Sequence, residues 1–291
     1  MHMQSLKIFP KAPKVIVTCT GLYSNDSFKF WAGWQVDQGA KLVISQHGNG
    51  YGVSRIYSTE KMEVSCCDRY FSWGWNEPNS AKVTPMPSSK LAEASKSLRP
   101  DPKGHILLVS NEFFHYMNWM FSCPIGSKRL KYLEDHELFY KEISPEARHL
   151  LLLRLHPDDY GWDSMERWKK LDPTLSIYRG RESMYPQLSC SRLYVGTDCY
   201  TTHLEALAAN FPTLFFWRPE LFELRESAQP FYKELLEAGI FHTTPQSAAA
   251  KVNEIYQDPL AWWFTPEIQR LRERFCRQFA WTAKTWRSDW K

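Results

Sequence analysis

Short continuous apolar runs alternate along this chain with stretches whose apolar positions recur at helical spacing. Runs at residues 15–19, 42–45, 70–73, 106–110, 151–155, 175–177, 192–195 and 213–217 predict strands. The intervening periodicity predicts helices over residues 28–38, 128–142, 164–170, 201–209 and 247–257. Strands that are apolar on both faces and separated by helices belong to parallel sheets covered on both sides. The expected fold is therefore α/β. Residues 81–104, rich in Pro, Ser and Lys, read as a connection. They divide the chain into residues 1–104 and 105–291, each Rossmann-like. The first part carries few strands and reads as the second half of a domain. The opening Met1-His2-Met3 reads as a remnant of cloning, which makes the chain a piece of a longer protein.

Composition narrows the class. With 43% hydrophobic and 23% charged residues, the chain is globular rather than disordered. Thirteen Trp among 291 residues imply flat binding surfaces or bulky cores. A net charge of +4 gives no concentrated basic face, so nucleic acid is not an expected partner. The basic and aromatic stretch at residues 270–291 suits contact with an anionic membrane surface. Seven Cys lack C-x-x-C spacing and mostly sit in apolar runs, as reduced, buried thiols do. No signal peptide and no membrane-spanning apolar run is present, so a cytoplasmic protein, peripheral at the inner membrane, is expected.

Ligands of open parallel sheets bind beyond the carboxyl ends of the strands. Four polar clusters stand at such ends: "TGLYSND", "QHGNGYG", "RLHPDDYGW" and "GTDCYTTHLEALAAN". In the last, Thr197 or Asp198 begins a turn, and Thr201 and Thr202 open a helix, where hydroxyls and unpaired N–H groups attract an anion. The same residues suit an ordinary N-cap. Glu205, one turn further on, suits sugar hydroxyls or capping. Arg154 and His156, two residues apart, share one side of their strand and point to phosphate. In the second cluster Gly48, Gly50 and Gly52 allow a sharp turn and close approach after Gln46. His47 is then held at a strand tip, facing a cleft, with an imidazole suited to proton transfer near neutral pH. A hydrogen-bonded turn histidine is the alternative. Glu60, Glu63 and Asp26 are other candidate bases, or, for the two glutamates, partners that orient His47. No D-x-D-like pair stands out as a metal clamp, and Asp158-Asp159 reads as a turn after Pro157.

With "QHGNGYG", "DRYFSWGW", "RLHPDDYGW" and "THLEALAANFPTLFFWRPELFELR" in hand, the chain resembles a family of transferases of bacterial surface carbohydrate biosynthesis over nearly its whole length. Members of that family are longer at the N-terminus. More widely it resembles GT-B transferases with CMP- or CDP-activated donors: sialyl- and Kdo-transferases and teichoic-acid glycerophosphotransferases. The resemblance implies two Rossmann-like domains with a cleft between them, the N-terminal one incomplete. It places a donor-phosphate His-Pro histidine at His156, a Ser/Thr phosphate pair at Thr201 and Thr202, and a proposed His-Gly base at His47. The acidic D/E-D/E-G base motif of the sialyltransferases has no clean copy, since Tyr160 follows Asp158-Asp159. The expected activity is transfer of a nonulosonate or Kdo-like sugar from a cytidine nucleotide to a glycan or lipid-linked acceptor, with no metal or other cofactor. The alternatives are a CDP-alditol phosphotransferase and an inert nucleotide- or glycan-binding module.

Overall fold

The computed structural model describes residues 8–291 apart from Asn49, Asn79 and residues 117–119. Its framework is a pair of all-parallel sheets. The first contains β1 (Val15–Thr18), β2 (Lys41–Ser45), β3 (Arg69–Ser72) and β4 (Val83–Pro85), in the order β1-β2-β3-β4. The second contains β5 (His105–Val109), β6 (Leu151–Leu155), β7 (Ser176–Arg179), β8 (Ser191–Gly196), β9 (Thr213–Phe216) and β10 (Phe241–His242). Its order, β10-β9-β8-β5-β6-β7, makes β5 and β8 neighbours whose onward connections run in opposite directions. A doubly wound sheet opens its ligand crevice at such a reversal.

The longer helices are α1 (Asp26–Asp37), α2 (Ser58–Cys66), α3 (Ser89–Ser97), α4 (Lys128–Glu142), α5 (Ser164–Leu171), α6 (Thr201–Ala208), α7 (Gln229–Glu237), α8 (Pro245–Ile255) and α9 (Pro266–Phe279). Several elements depart from the sequence reading. β4 and β10 are short edge strands, too brief for a periodic signal. α2 buries Thr59, Glu60 and Glu63, polar positions that hide its period. α3 lies inside the expected connection, capped by the Ser88 side chain, which accepts from Leu91 N at 3.2 Å. α7 buries only Tyr232 and Leu235 toward the core, leaving little apolar stripe to read. α9, also not foreseen as a helix, overlaps the basic and aromatic stretch at residues 270–291. There Ile268, Leu271, Phe275, Cys276 and Phe279 are buried in the protein itself.

The halves are joined. One apolar cluster runs from Ile16, Leu42 and Tyr70 to Phe215, Phe241, Phe275 and Phe279, so the many aromatics serve packing. The loop after β2 is stitched to the second half by backbone bonds, Arg225 N to Val53 O and Arg55 N to Glu223 O, both 2.8 Å. Tyr57 stacks on Phe121 with centroids 4.5 Å apart. After α9 the chain returns to the first sheet, Trp281 N donating to Trp73 O at 3.0 Å and Trp290 Nε1 to Pro87 O at 3.0 Å. All seven cysteines are free; Cys67, Cys123, Cys199 and Cys276 are buried, whereas Cys19, Cys66 and Cys190 are exposed. No helix among the described residues is long and apolar enough to cross a membrane.

Candidate active site

The first wall of the site is the glycine loop beyond β2. Gln46 is buried and both ends of its amide are engaged. Oε1 accepts from Trp73 N and Trp75 Nε1, each at 2.8 Å, and Nε2 donates to Gly48 O at 2.7 Å. Gly50 and Gly52, with φ of +97° and +69°, adopt the left-handed region, and a Cβ on either would strike the ring of Tyr57 or Trp75. These residues fix the path that presents His47. Its ring is half-buried, with Nδ1 3.2 Å from the Tyr51 hydroxyl. Burial holds the His47 pKa below the ordinary value; the Lys90 charge adds to this and the Cys19 carbonyl opposes it. The neutral ring is the form that a proton acceptor requires.

The second wall comes from the carboxyl ends of β5, β6 and β8. Beyond β5, Arg129 of α4, fully buried, donates to Asn111 O at 2.8 Å and Glu112 Oε2 at 2.6 Å, which holds this turn against the core. Beyond β6, His156 Nδ1 lies 3.1 Å from both the N and the O of Asp158, two backbone atoms that hold the ring at the strand end. Asp159 Oδ1 accepts from the backbone of Gly161 and Trp162, at 2.8 and 2.9 Å, the turn role read from the sequence. Beyond β8, Asp198 Oδ1 accepts from Tyr200 N at 2.7 Å and shapes the turn into α6. Burial pushes the Asp198 carboxyl up to about 6, opposed by Tyr200 N–H, the Asn111 side chain and Arg129.

The two walls enclose a cleft of about 280 Å³. His47 and Gly48 line it from one side, and Asn111, Glu112, His156, Tyr160 and Thr201 from the other. Aromatic rings of Tyr23, Tyr57, Phe113, Phe114, Phe121 and Tyr200 complete it. It opens where β5 and β8 diverge. Ligand pockets run from roughly 300 to 1,000 Å³, so this one takes a single moiety and leaves the remainder of a larger ligand outside. A larger groove of about 1010 Å³ also lies between the halves, but none of His47, Gly48, His156 and Thr201 lines it. Its cations Arg55, Arg225 and Lys233 are paired with Glu223, with Glu60 and Glu77, and with Glu237. The smaller cleft, lined by His47, Gly48, His156 and Thr201 together, is the better candidate site.

The other expected residues lie outside the cleft lining. Arg154 donates to Gln187 Oε1 at 2.7 Å and lies over the Tyr178 ring, so the shared strand side does not carry it to the cleft with His156. The Thr197 hydroxyl donates to Val109 O at 2.9 Å, and Thr202 Oγ1 accepts from the Tyr194 hydroxyl at 2.8 Å. Glu205 pairs with Lys90 at 2.9 Å. Glu60 accepts from Gly52 N and Arg225, each at 2.6 Å. Asp26 pairs with Lys29, its side chain 68% exposed. Glu63 is fully buried and does not line the cleft. Sequence reasoning missed Asn111 and Glu112, although they too follow a predicted strand end and were open to the rule that found the other clusters. Tyr160 and Tyr200 were quoted within motifs without a role. Among the described residues no group of three His, Cys, Asp or Glu is placed to hold a metal ion.

Two parallel-sheet halves with a cleft at their carboxyl edges define the GT-B architecture. Three solved structures share it. They are S. aureus MnaA with UDP (TM-score 0.53, 12% identity, 99% of this chain and 76% of that one), and two trehalose-phosphate synthases. The synthase from Burkholderia multivorans matches with a TM-score of 0.51 at 12% identity, over 99% of this chain and 72% of that one. The UDP-forming enzyme from Burkholderia xenovorans, in complex with glucose-6-phosphate, gives 0.51 at 12% identity, over 99% and 75%. Likeness at this identity defines the fold alone. No curated protein matches the sequence. The family model described as LIC12162 family transferase matches residues 1–291, and the chain belongs to that family of transferases.

Proposed function

We propose that this transferase moves a glycosyl group from a cytidine-activated sugar to a hydroxyl of a bacterial surface-glycan acceptor. The observation that carries the reading is the convergence of His47 and Gly48 with His156 and Thr201 on one cleft. Glycosyl transfer needs an acceptor hydroxyl that loses its proton as it attacks and a leaving phosphate whose charge is met. Neutral His47 takes the proton. The His156 ring, the Thr201 hydroxyl and the amino end of α6 meet the phosphate charge. The aromatic lining supplies faces for a base or sugar ring. Tight first-domain contacts keep the acceptor base close to the donor site. The donor phosphates are met by protein donors, and no metal or other cofactor is assigned a role. The enzyme would work in the cytoplasm, reaching lipid-linked acceptors at the inner membrane.

Cytidine is chosen over uridine because of the resemblance carried by His47, His156 and the Thr pair. Two of the similar structures are a complex with UDP and a UDP-forming enzyme, which makes uridine the competitor to test. Titrating CMP, UMP, GMP and UDP into the purified chain by calorimetry decides this. CMP should bind most tightly; equal or tighter binding of UDP would turn the reading to a uridine donor. His47→Ala should leave nucleotide affinity and Tm nearly unchanged and lower turnover about a hundredfold to ten-thousandfold. If turnover survives, His47 is not the base. A product carrying alditol phosphate in place of a sugar would identify a CDP-alditol phosphotransferase, and binding without turnover an inert module.

A further inference from the structure

Two stretches that supply nothing to the cleft lining, residues 73–75 and 223–225, meet at the glycine loop. Arg225, between β9 and α7, is the residue that joins them. Its backbone N–H donates to Val53 O at 2.8 Å and its Nε to Ser54 O at 3.3 Å. Nη2 donates to Glu60 Oε1 at 2.6 Å, and Nη1 lies 3.9 Å from Glu77 Oε2. The guanidinium carbon stands 5.8 Å from the centre of the Trp75 ring. Each nitrogen of the planar fork thus has its own partner, with the Arg225 and Glu60 side chains only 21% and 10% exposed. Those partners lead to the glycine loop by two routes. Glu60 Oε2 accepts from Gly52 N at 2.6 Å. Trp75 Nε1 donates to Gln46 Oε1 at 2.8 Å, and Gly52 packs so closely on Trp75 that a Cβ there would strike its ring. Gln46 immediately precedes His47.

We propose that Arg225 is a positioning residue for the acceptor base: it clamps the loop that carries His47, through Glu60 and Gly52 on one route and Trp75 and Gln46 on the other. The proposal rests on reading His47 as that base. A loop with glycines at 48, 50 and 52 has wide backbone freedom, and misplacing a reacting group by about 1 Å can cost a hundredfold in rate. Bonds within the first half alone would fix His47 only to its own sheet. Arg225 belongs to the half that carries His156 and Thr201, so its hold registers the base loop against the donor side of the cleft. Arg225 touches no reacting atom. An ordinary ion pair between the halves would need only a positive charge at this position. The clamp uses the directions of the fork and its flat face, which a lysine ammonium does not reproduce. Glu60, read from the sequence as another candidate base, serves here as the link between Arg225 and Gly52.

The test follows the His47 ring directly, in side-chain proton–nitrogen correlation spectra of the full chain with 15N-labelled histidine and His47→Gln for assignment. Arg225→Lys keeps a cation opposite Glu60 and should leave Tm nearly unchanged. Its His47 signals should nevertheless shift or broaden, and kcat for transfer should fall about ten- to a hundredfold. CMP affinity, read by calorimetry, should stay within about twofold, because His156 and Thr201 are untouched. The double variant Arg225→Met with Glu60→Gln buries no unpaired charge, and it should show the same displaced His47 signals. Unmoved His47 signals in the double variant overturn the clamp. Full recovery of signals and kcat by lysine would leave a plain ion pair and overturn it too, as would a loss of CMP affinity equal to the loss of kcat. Turnover surviving in His47→Ala would remove the base reading while the displaced signals stood. Unmoved signals with turnover lost in His47→Ala would remove the clamp alone.

Discussion

Gly48 and Thr201 meet across the cleft: a Cβ added to Gly48 would lie 2.8 Å from Thr201 Oγ1. Gly48 follows β2 of the first sheet and Thr201 opens α6 after β8 of the second, so this approach sets how closely the glycine loop comes to the first turn of α6.

Gly48→Ala tests that contact. Gly48 is not in the left-handed region, so alanine meets no backbone strain there, and Tm should change little. The methyl displaces the Thr201 hydroxyl, and nucleotide affinity should fall about tenfold, the worth of one hydrogen bond. In a Thr201→Ala background the same substitution should cost almost nothing more. Additive losses, measured by calorimetry on all four proteins, would mean that Gly48 acts elsewhere.

His156→Ala should weaken CMP binding about ten- to a hundredfold, the range of a charge-assisted hydrogen bond, and leave cytidine binding nearly unaltered. Equal losses for both ligands would make His156 a structural residue. Thr201→Ala should show the same pattern more weakly. Thr202→Ala should barely show it, since that hydroxyl is engaged by Tyr194.

Glu63→Gln should stabilise the protein at alkaline pH. Burial raises the carboxyl from its ordinary 4.5 to about 7. The unfolded chain ionises this group first, so its favourable contribution is complete below about 4.5 and is lost as pH rises toward 7. The amide carries no charge to bury. Denaturant midpoints should favour Glu63→Gln by up to roughly 3 kcal/mol above neutrality and converge with the wild type in acid. An unchanging difference at every pH would show that Glu63 does not titrate in this way.

The Arg129–Glu112 pair is fully enclosed, with side-chain exposures of 0% and 2%. Arg129→Met should cost about 3–5 kcal/mol, because the Glu112 charge is left buried and uncompensated. Adding Glu112→Gln should recover most of that loss. Chemical denaturation of both variants checks it, and a single variant as stable as the double one would contradict the account.

Much of this fold was legible along the chain. The run Leu151–Leu155 was read to the residue, as was the helix Lys128–Glu142, because each carries its own period. Where burial falls on polar side chains, as at Glu60 and Glu63 of α2, the period is hidden and the helix escaped notice. At the site, the glycines after β2 and the His-Pro pair after β6 marked the strand ends. Arg154 shows the limit of that logic: it alternates with His156 along the strand, yet Gln187, a residue 33 positions later, takes its guanidinium.

The sequence by itself determined the parallel α/β class, the strand ends that present His47, His156 and Thr201, and the turn role of Asp159. These follow from spacing and backbone preference among near neighbours. Only the tertiary structure decided that β5 and β8 lie side by side, that Gly48 touches Thr201, and that Glu205 is paired with Lys90. It alone set the Tyr51 hydroxyl 3.2 Å from His47 Nδ1 and buried Glu63 completely. The reason is physical: a strand period is set by residues adjacent in the chain, whereas a cleft is set by which distant faces pack together, and the hydrophobic burial that packs them is non-directional and leaves no mark on any one stretch of sequence.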